Sequence, residues 1–320
     1  MSTVILFPGQ GSQHAGMLQG LPGTPAAEQA QGEAREALES LEGLPARLDT
    51  EEALQSTTNA QLALLVAGVV TARALVEDHS LRADFVAGHS VGAFAAAVLA
   101  GVLNLGDALR VVKVRGEEME RACAGGTWGM AALRGLDLAS VRSLVGSLAT
   151  GNDPLWIANI NSADQIVLGG TRAALDTLRR HAPAAGARDL KILDVTIASH
   201  GPLQAGTARA VAYALSQVQH GDQRRAYFAN TTGRRIAHAT EKVIDDLAQA
   251  VQHPVHWLDA VRLMPELGVT AAVQTPPGHV LTAITARETP GITSIAVDDA
   301  GLDTALRRIA RRDRDTTRSS

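Results

Sequence analysis

The sequence predicts an α/β protein: a large domain with a mostly parallel sheet flanked by helices, and a small α+β domain inserted into it. Three observations carry this expectation. Short apolar runs, "VILF" at residues 4–7 and "FVAG" at 85–88, lead straight into glycine-bearing turns, as buried strands of an α/β sheet do. Long helical segments lie between them and are apolar on one face or on nearly all. From Trp128 the texture changes to half-buried strands alternating with two short helices.

Taken in order, residues 4–7 form a strand closed by "PGQGSQ", and "AAEQAQGEAREALESLE" at 26–42 is a charged surface helix. Residues 57–76, apolar on nearly every face, make a helix packed inside the large domain. "ADFVAGHS" is the second strand and "VGAFAAAVLAGVL" opens a helix directly after it. "LGDALRVVKVRGEEMERA" is an amphipathic helix with Asp107 near its start. "WGMAALRG", "LWIANINSADQIVLGG" and "RDLKILDVTIASH" are strand-like, with "DLASVRSLVGSL" and "TRAALDTLRRHA" as helices between them. Strand, helix, strand, strand, helix, strand is the order of a ferredoxin-like unit, placed at 127–197, with 1–126 and 198–320 forming the large domain. After it come the helix "PLQAGTARAVAYALSQV", the strand and turn "RAYFANTTG", and the strand, turn and helix "VTAAVQTPPGHVLTAITA". The tail "RRIARRDRDTTRSS" is expected to be frayed and solvated.

Composition narrows the function classes. The 320 residues are 46% hydrophobic and 19% charged, the range of a soluble globular protein with a substantial core. A formal charge of −4 gives no bulk attraction to nucleic acid. One cysteine, Cys123, excludes an intramolecular disulfide and any cysteine-rich metal site, and points to a reducing, cytoplasmic setting. Residues 61–76 are the longest apolar candidate, but Arg73 interrupts them and no membrane span is expected. The histidines are scattered without metal-ligand spacing, and "GQGSQHAG" lacks a dinucleotide fingerprint, so no metal or bound cofactor is expected.

The chemistry gathers around "GHSVG" at residues 88–92, a G-x-S-x-G pattern between a strand and a helix. Such an elbow holds its serine on a strained turn, with glycines where side chains would strike neighbouring backbone, and makes the large domain hydrolase-like. Ser90 is therefore the candidate nucleophile; the bland alternative is a tight packing turn. Of ten histidines, His200 stands before "GP" at an expected strand end, where α/β sites gather, and is the candidate base or else a cap. His89 adjoins Ser90 and should point elsewhere.

Seven motifs in register then resemble one family. "FPGQGSQ", "GHSVGAFAAAV", "VKVRGEEME", "ANINSADQIVLGG", "IASH", "HPVHW" and "PPGHVLTAI" together are similar to the malonyl-CoA:acyl-carrier-protein transacylases over nearly the whole chain. Within that family "GHSVGAFAAAV" with "RGEEME" most resembles the transacylase (epsilon) subunit of malonate decarboxylase. The resemblance implies malonyl-CoA as substrate, a serine ester on Ser90, and a phosphopantetheine-type thiol as acceptor. That thiol would belong to an acyl carrier protein or to the carrier subunit of malonate decarboxylase. It implies His200 as base, the backbone N–H groups of Gln10 and Val91 as oxyanion hole, and Arg115 against the free malonyl carboxylate. It also assigns the His256 carbonyl to orient His200, with Gln61, Asn159 and Asn161 as secondary cleft residues. Without the resemblance, "PGQGSQ" is an ordinary strand-ending turn and Arg115 is one basic residue on a charged helix.

Three positions depart from the family pattern. Ala93 stands where Glu is frequent, Ser199 where some malonyl-specific relatives carry a bulkier residue, and His253 where Asn is common. Alternatives to the decarboxylase setting are a transacylase of fatty acid synthesis, a serine esterase or thioesterase, and a non-catalytic assembly subunit. An esterase should show a carboxylate, for which Asp194 is the nearest candidate, on His200.

Overall fold

The computed structural model describes residues 2–318. In chain order the strands and helices are β1 (Ser2–Phe7), α1 (Pro25–Glu39), α2 (Thr57–Arg73), β2 (Phe85–Gly88), α3 (Gly92–Leu99) and α4 (Leu105–Cys123). There follow β3 (Trp128–Arg134), α5 (Leu138–Leu148), β4 (Leu155–Ser162), β5 (Gln165–Thr171), α6 (Arg172–His181) and β6 (Asp189–Ile192). The chain continues with α7 (Ala205–Ser216), β7 (Ala226–Phe228), β8 (Arg235–Ile236), α8 (Thr240–Gln249) and α9 (Trp257–Glu266). It ends with β9 (Val269–Gln274), α10 (Val280–Glu288), β10 (Thr293–Ala296), α11 (Val297–Ala300) and α12 (Leu302–Arg318).

Six strands form one sheet in the order β10-β9-β1-β2-β7-β8. All its pairings are parallel except β7 with β8. β1 and β2 lie at its centre, and their apolar runs are buried because helices cover both faces. One face packs on α1, α2, α3 and α4 through residues such as Phe7, Leu65, Phe94 and Leu109. The other packs on α9 and α10 through Trp257, Val261, Leu281 and Ile284. α2 and the turn after it, Thr57–Asp78, are long and apolar enough by composition to cross a membrane, but 83% of the most apolar window is buried inside the protein. Here an all-round apolar helix is a core helix.

A second sheet, in the order β4-β5-β3-β6, is antiparallel throughout. With α5 and α6 it encloses its own small core, built on Leu133, Val141, Leu168, Leu175 and Leu178. It joins the large sheet's loops through a short backbone ladder, Ile160 N–H to Val255 C=O and Val255 N–H to Ala158 C=O.

Two expectations change. The strand foreseen to run up to His200 stops at Ile192, and residues 193–200 run along the cavity as a loop. Its β-branched residues favour extended backbone, but after the Leu193 N–H bonds the Met130 carbonyl the segment leaves β3, and the His200 N–H goes to the Val251 carbonyl. The basic tail continues as helix to Arg318, anchored through buried Ala305 and Ile309; Ser319 and Ser320 lie outside the described residues.

Candidate active site

The parallel register places the site. Phe7 pairs with Gly88, so the turns after β1 and β2 emerge side by side at the strands' C-terminal edge. Ser90 sits on the second turn with φ +54°, a left-handed conformation that non-glycine residues seldom adopt. The glycines around it are set by crowding. A Cβ on Gly88 would stand 2.1 Å from the Gly92 backbone, and one on Gly92 would stand 2.2 Å from the Phe7 carbonyl oxygen. The elbow is therefore jammed between its own helix start and the neighbouring strand.

Ser90 Oγ lies 2.8 Å from His200 Nε2. The other ring nitrogen, Nδ1, is 2.6 Å from the Ala250 carbonyl oxygen. A carbonyl only accepts, so Nδ1 carries the proton and Nε2 presents its lone pair to the serine hydroxyl. His200 is buried, and burial followed by the nearby Arg115 charge presses its pKa down to about 3. The ring is thus neutral and ready to accept a proton.

His256 does not orient this histidine. Ala250 caps the end of α8, where helix carbonyls lack intrahelical partners, and its carbonyl is free to take the imidazole N–H. The His256 carbonyl instead accepts from Ala260 N–H as α9 begins, while its ring pairs with Asp259. Nor does Asp194 reach His200: it lies on the 193–200 loop along the cavity wall. Among the described residues no carboxylate hydrogen-bonds the His200 ring.

Arg115 reaches the serine from α4. Its Nη2 donates to Ser90 Oγ at 3.0 Å and its Nη1 to Gln61 Oε1 at 2.6 Å. The side chain is 2% exposed, and among the described residues it has no carboxylate partner. Burial alone lowers its pKa to about 10, which leaves it charged at neutral pH. Gly116 explains the approach: a Cβ there would stand 2.5 Å from Thr58 Cα, so α4 lies directly against α2, which carries Gln61.

Gln10 lines the cavity, and Val91, fully buried, directly follows Ser90. Neither backbone N–H donates to another group among the described residues. His89 turns away from Ser90, as expected, and meets the second sheet. Its Nε2 lies 3.0 Å from Asn161 Oδ1 and 3.2 Å from Asn159 Nδ2. Both asparagines line the cavity and meet this one ring. The cavity, about 520 Å³, is lined by Ser90, His200 and Gln10 together with Met130, Val167, Lys191 and Ile284, so both sheets' ends contribute.

Three contributors escape the motifs. Asn230, just after β7, bonds the elbow backbone, and Asp246 on α8 holds Asn230. Trp156 on β4 donates its indole N–H to the Ser199 carbonyl at 3.0 Å, beneath the loop that carries His200. "FANTTG" signals only a turn, and a tryptophan in a strand signals only packing.

A hydrogen-bonded Ser–His pair beside a cavity, with two backbone N–H groups nearby that have no acceptor among the described residues, suits acyl transfer. An acyl transferase domain family matches residues 4–299, and the chain belongs to it. More particularly, it belongs to the malonyl CoA-acyl carrier protein transacylases. It is 34% identical to that enzyme of Salmonella typhimurium over 94% of this chain and 98% of the relative. It superposes on the MCAT of Mycobacterium tuberculosis with a TM-score of 0.83 at 32% identity, covering 96% of this chain and 100% of that one. A malonyl-transacylase solved in complex with a type II PKS acyl-carrier protein gives a TM-score of 0.88 at 32% identity, covering 96% and 100%.

Proposed function

We propose that this protein carries a malonyl group from malonyl-CoA, through an ester on Ser90, to the phosphopantetheine-type thiol of an acyl carrier protein. The observation that carries the reading is Arg115: a buried guanidinium beside Ser90 with no carboxylate among the described residues to pair it. An unpaired buried charge is unfavourable by several kcal/mol, of the order of 3–5. A substrate bearing its own carboxylate relieves that penalty, and an acetyl group does not.

The steps follow from the chain's own groups. Ser90 Oγ attacks the thioester carbonyl as its proton passes to His200 Nε2. The Gln10 and Val91 N–H groups receive the developing oxyanion. The C–S bond then breaks, the leaving thiolate takes the proton from His200, and the malonyl group remains on Ser90. The carrier thiol enters in turn, gives its proton to His200 and takes the acyl group, and the proton returns to Ser90. Because Arg115's charge is one cause of the depressed His200 pKa, a malonyl carboxylate on Arg115 raises the base's proton affinity as it binds. Selectivity then enters the acylation rate as well as binding.

A backbone carbonyl on His200, where hydrolases usually place a carboxylate, favours transfer to a thiol over esterase chemistry. For the acceptor, "GHSVGAFAAAV" with "RGEEME" supports the carrier subunit of malonate decarboxylase. The curated relatives are transacylases named for acyl carrier protein and support the carrier of fatty acid synthesis as the alternative. We read residues 127–197 as an inserted ferredoxin-like domain, supported by its separate sheet and core. The lone buried thiol, Cys123, fits a reducing, cytoplasmic setting.

Mixing the protein with radiolabelled malonyl-CoA tests the whole scheme. Label should appear on wild type, be absent from Ser90→Ala, and move to a holo carrier on addition. Presenting both carriers in competition ranks them. Free malonate released without transfer would sink the transferase reading.

A further inference from the structure

The strained elbow needs something to hold it, and the sheet provides this from the strand beside β2. β7 runs parallel to β2 with Ala87 opposite Phe228, so the residues after β7 emerge next to the elbow. There Asn230, 3% exposed, spans the turn with both ends of its amide. Its Oδ1 accepts the Ser90 N–H at 2.8 Å, and its Nδ2 donates to the Gly88 carbonyl at 2.8 Å. One side chain thus fixes the peptide planes on either side of His89 and occupies the N–H of the nucleophile itself. That leaves the Val91 N–H as the elbow donor with no acceptor among the described residues.

Asn230 is itself held. Asp246, 2% exposed, accepts from Asn230 N–H and Tyr227 O–H through Oδ2, and from Thr231 N–H and Oγ1–H through Oδ1. Four donors on one buried carboxylate satisfy the charge and lock the β7 turn to α8. A buried Asp outside the cavity lining, with all four donors drawn from β7 and the turn after it, calls for an explanation beyond packing.

We propose that Asn230 is a positioning residue for the nucleophile and that Asp246 acts through it. Together they hold Ser90 in its left-handed conformation with Oγ aimed at His200 and the Val91 N–H turned to the oxyanion. The inference rests on the serine-nucleophile reading above, so its test uses two substrates. One is malonyl-CoA; the other is a phosphonofluoridate, which a positioned serine attacks at phosphorus with loss of fluoride whatever its natural acyl group.

Rates are measured per folded molecule for Asn230→Ala, Asp246→Asn and the double variant. A misplaced nucleophile lowers kcat far more than it raises KM, and an ångström of displacement reaches a hundredfold. Asn230→Ala should lower kcat roughly 10- to 100-fold with KM within about twofold, and slow phosphonylation in parallel. Asp246→Asn should lower kcat by less. Because it acts through Asn230, adding it to Asn230→Ala should lower kcat no further, even where the melting temperature falls again. Unchanged kcat in Asn230→Ala would overturn the clamp, and multiplied losses in the double variant would overturn the relay from Asp246. Should Asn230→Ala not fold, wild-type kcat in Asp246→Asn would refute the relay, and wild-type kcat per folded molecule in Asn230→Ser would refute the clamp. Failure of malonyl labelling in wild type, with phosphonylation intact and still dependent on Asn230, would remove the substrate assignment and leave the clamp standing.

Discussion

The two faces of α4 treat the same kind of side chain in opposite ways. On the outer face Arg110 pairs with Asp107, Lys113 with Glu117 and Arg121 with Glu118, each one turn apart on the same helix. On the inner face Arg115 is buried against Gln61 and Ser90 and has no such acid among the described residues. Water screens the outer pairs, and their loss is felt little. The inner charge is desolvated, and its neighbours are neutral, which leaves room for a carboxylate that arrives with substrate. A helix read as a charged surface carries a buried, acid-free arginine on the side that the surface does not show.

The largest effect should come from removing the inner charge. Arg115→Ala should cut malonyl labelling of Ser90 by at least about a hundredfold while acetyl labelling changes by less than about tenfold. Arg115→Lys should fall between, since an ammonium cannot present paired donors to Gln61 and a carboxylate together. Equal losses with both acyl groups, read by mass spectrometry of the labelled protein, would break the contrast between the faces.

A smaller effect concerns acid. His200 has a folded pKa of about 3, against 6.5 for an unperturbed imidazole. Between those values the unfolded chain holds a proton that the folded chain refuses. Its contribution to stability is therefore full above pH 6.5 and is lost as pH falls towards 3. Urea midpoints measured from pH 7 to 4 should decline, and His200→Gln should flatten the decline. Identical slopes would mean that the ring is not buried neutral. The smallest effect belongs to the outer face: Arg110→Ala should change stability by less than about 0.5 kcal/mol in urea unfolding and leave kcat alone.

How far the sequence reached differs from residue to residue. Ser90 was visible because an elbow needs glycines at fixed offsets, and the crowding at Gly88 and Gly92 is that need in coordinates. Gln61 and Arg115 came only through the family's motifs, and nothing in their spacing says that they touch. The motif suggests a strand end for His200, which instead lies on a loop with φ +57°, its N–H bonded to the Val251 carbonyl and not to β3. The carbonyl that orients it was assigned to His256 and belongs to Ala250. Motif register marks a chain segment, whereas a free carbonyl depends on where a helix happens to end.

Local chemistry set the elements of this protein: apolar runs that need two covering layers, glycines that permit a left-handed serine, and an amphipathic period on α4. Those are short-range demands, written within a few residues. Which groups meet was decided by tertiary packing. The parallel register of β1, β2 and β7 brings Gln10, Ser90 and Asn230 to one edge, 140 residues separating the last two. α8 ends where its last carbonyl meets His200, and α4 turns one arginine inward against α2. Such contacts follow from how layers stack, and no stretch of sequence contains both partners.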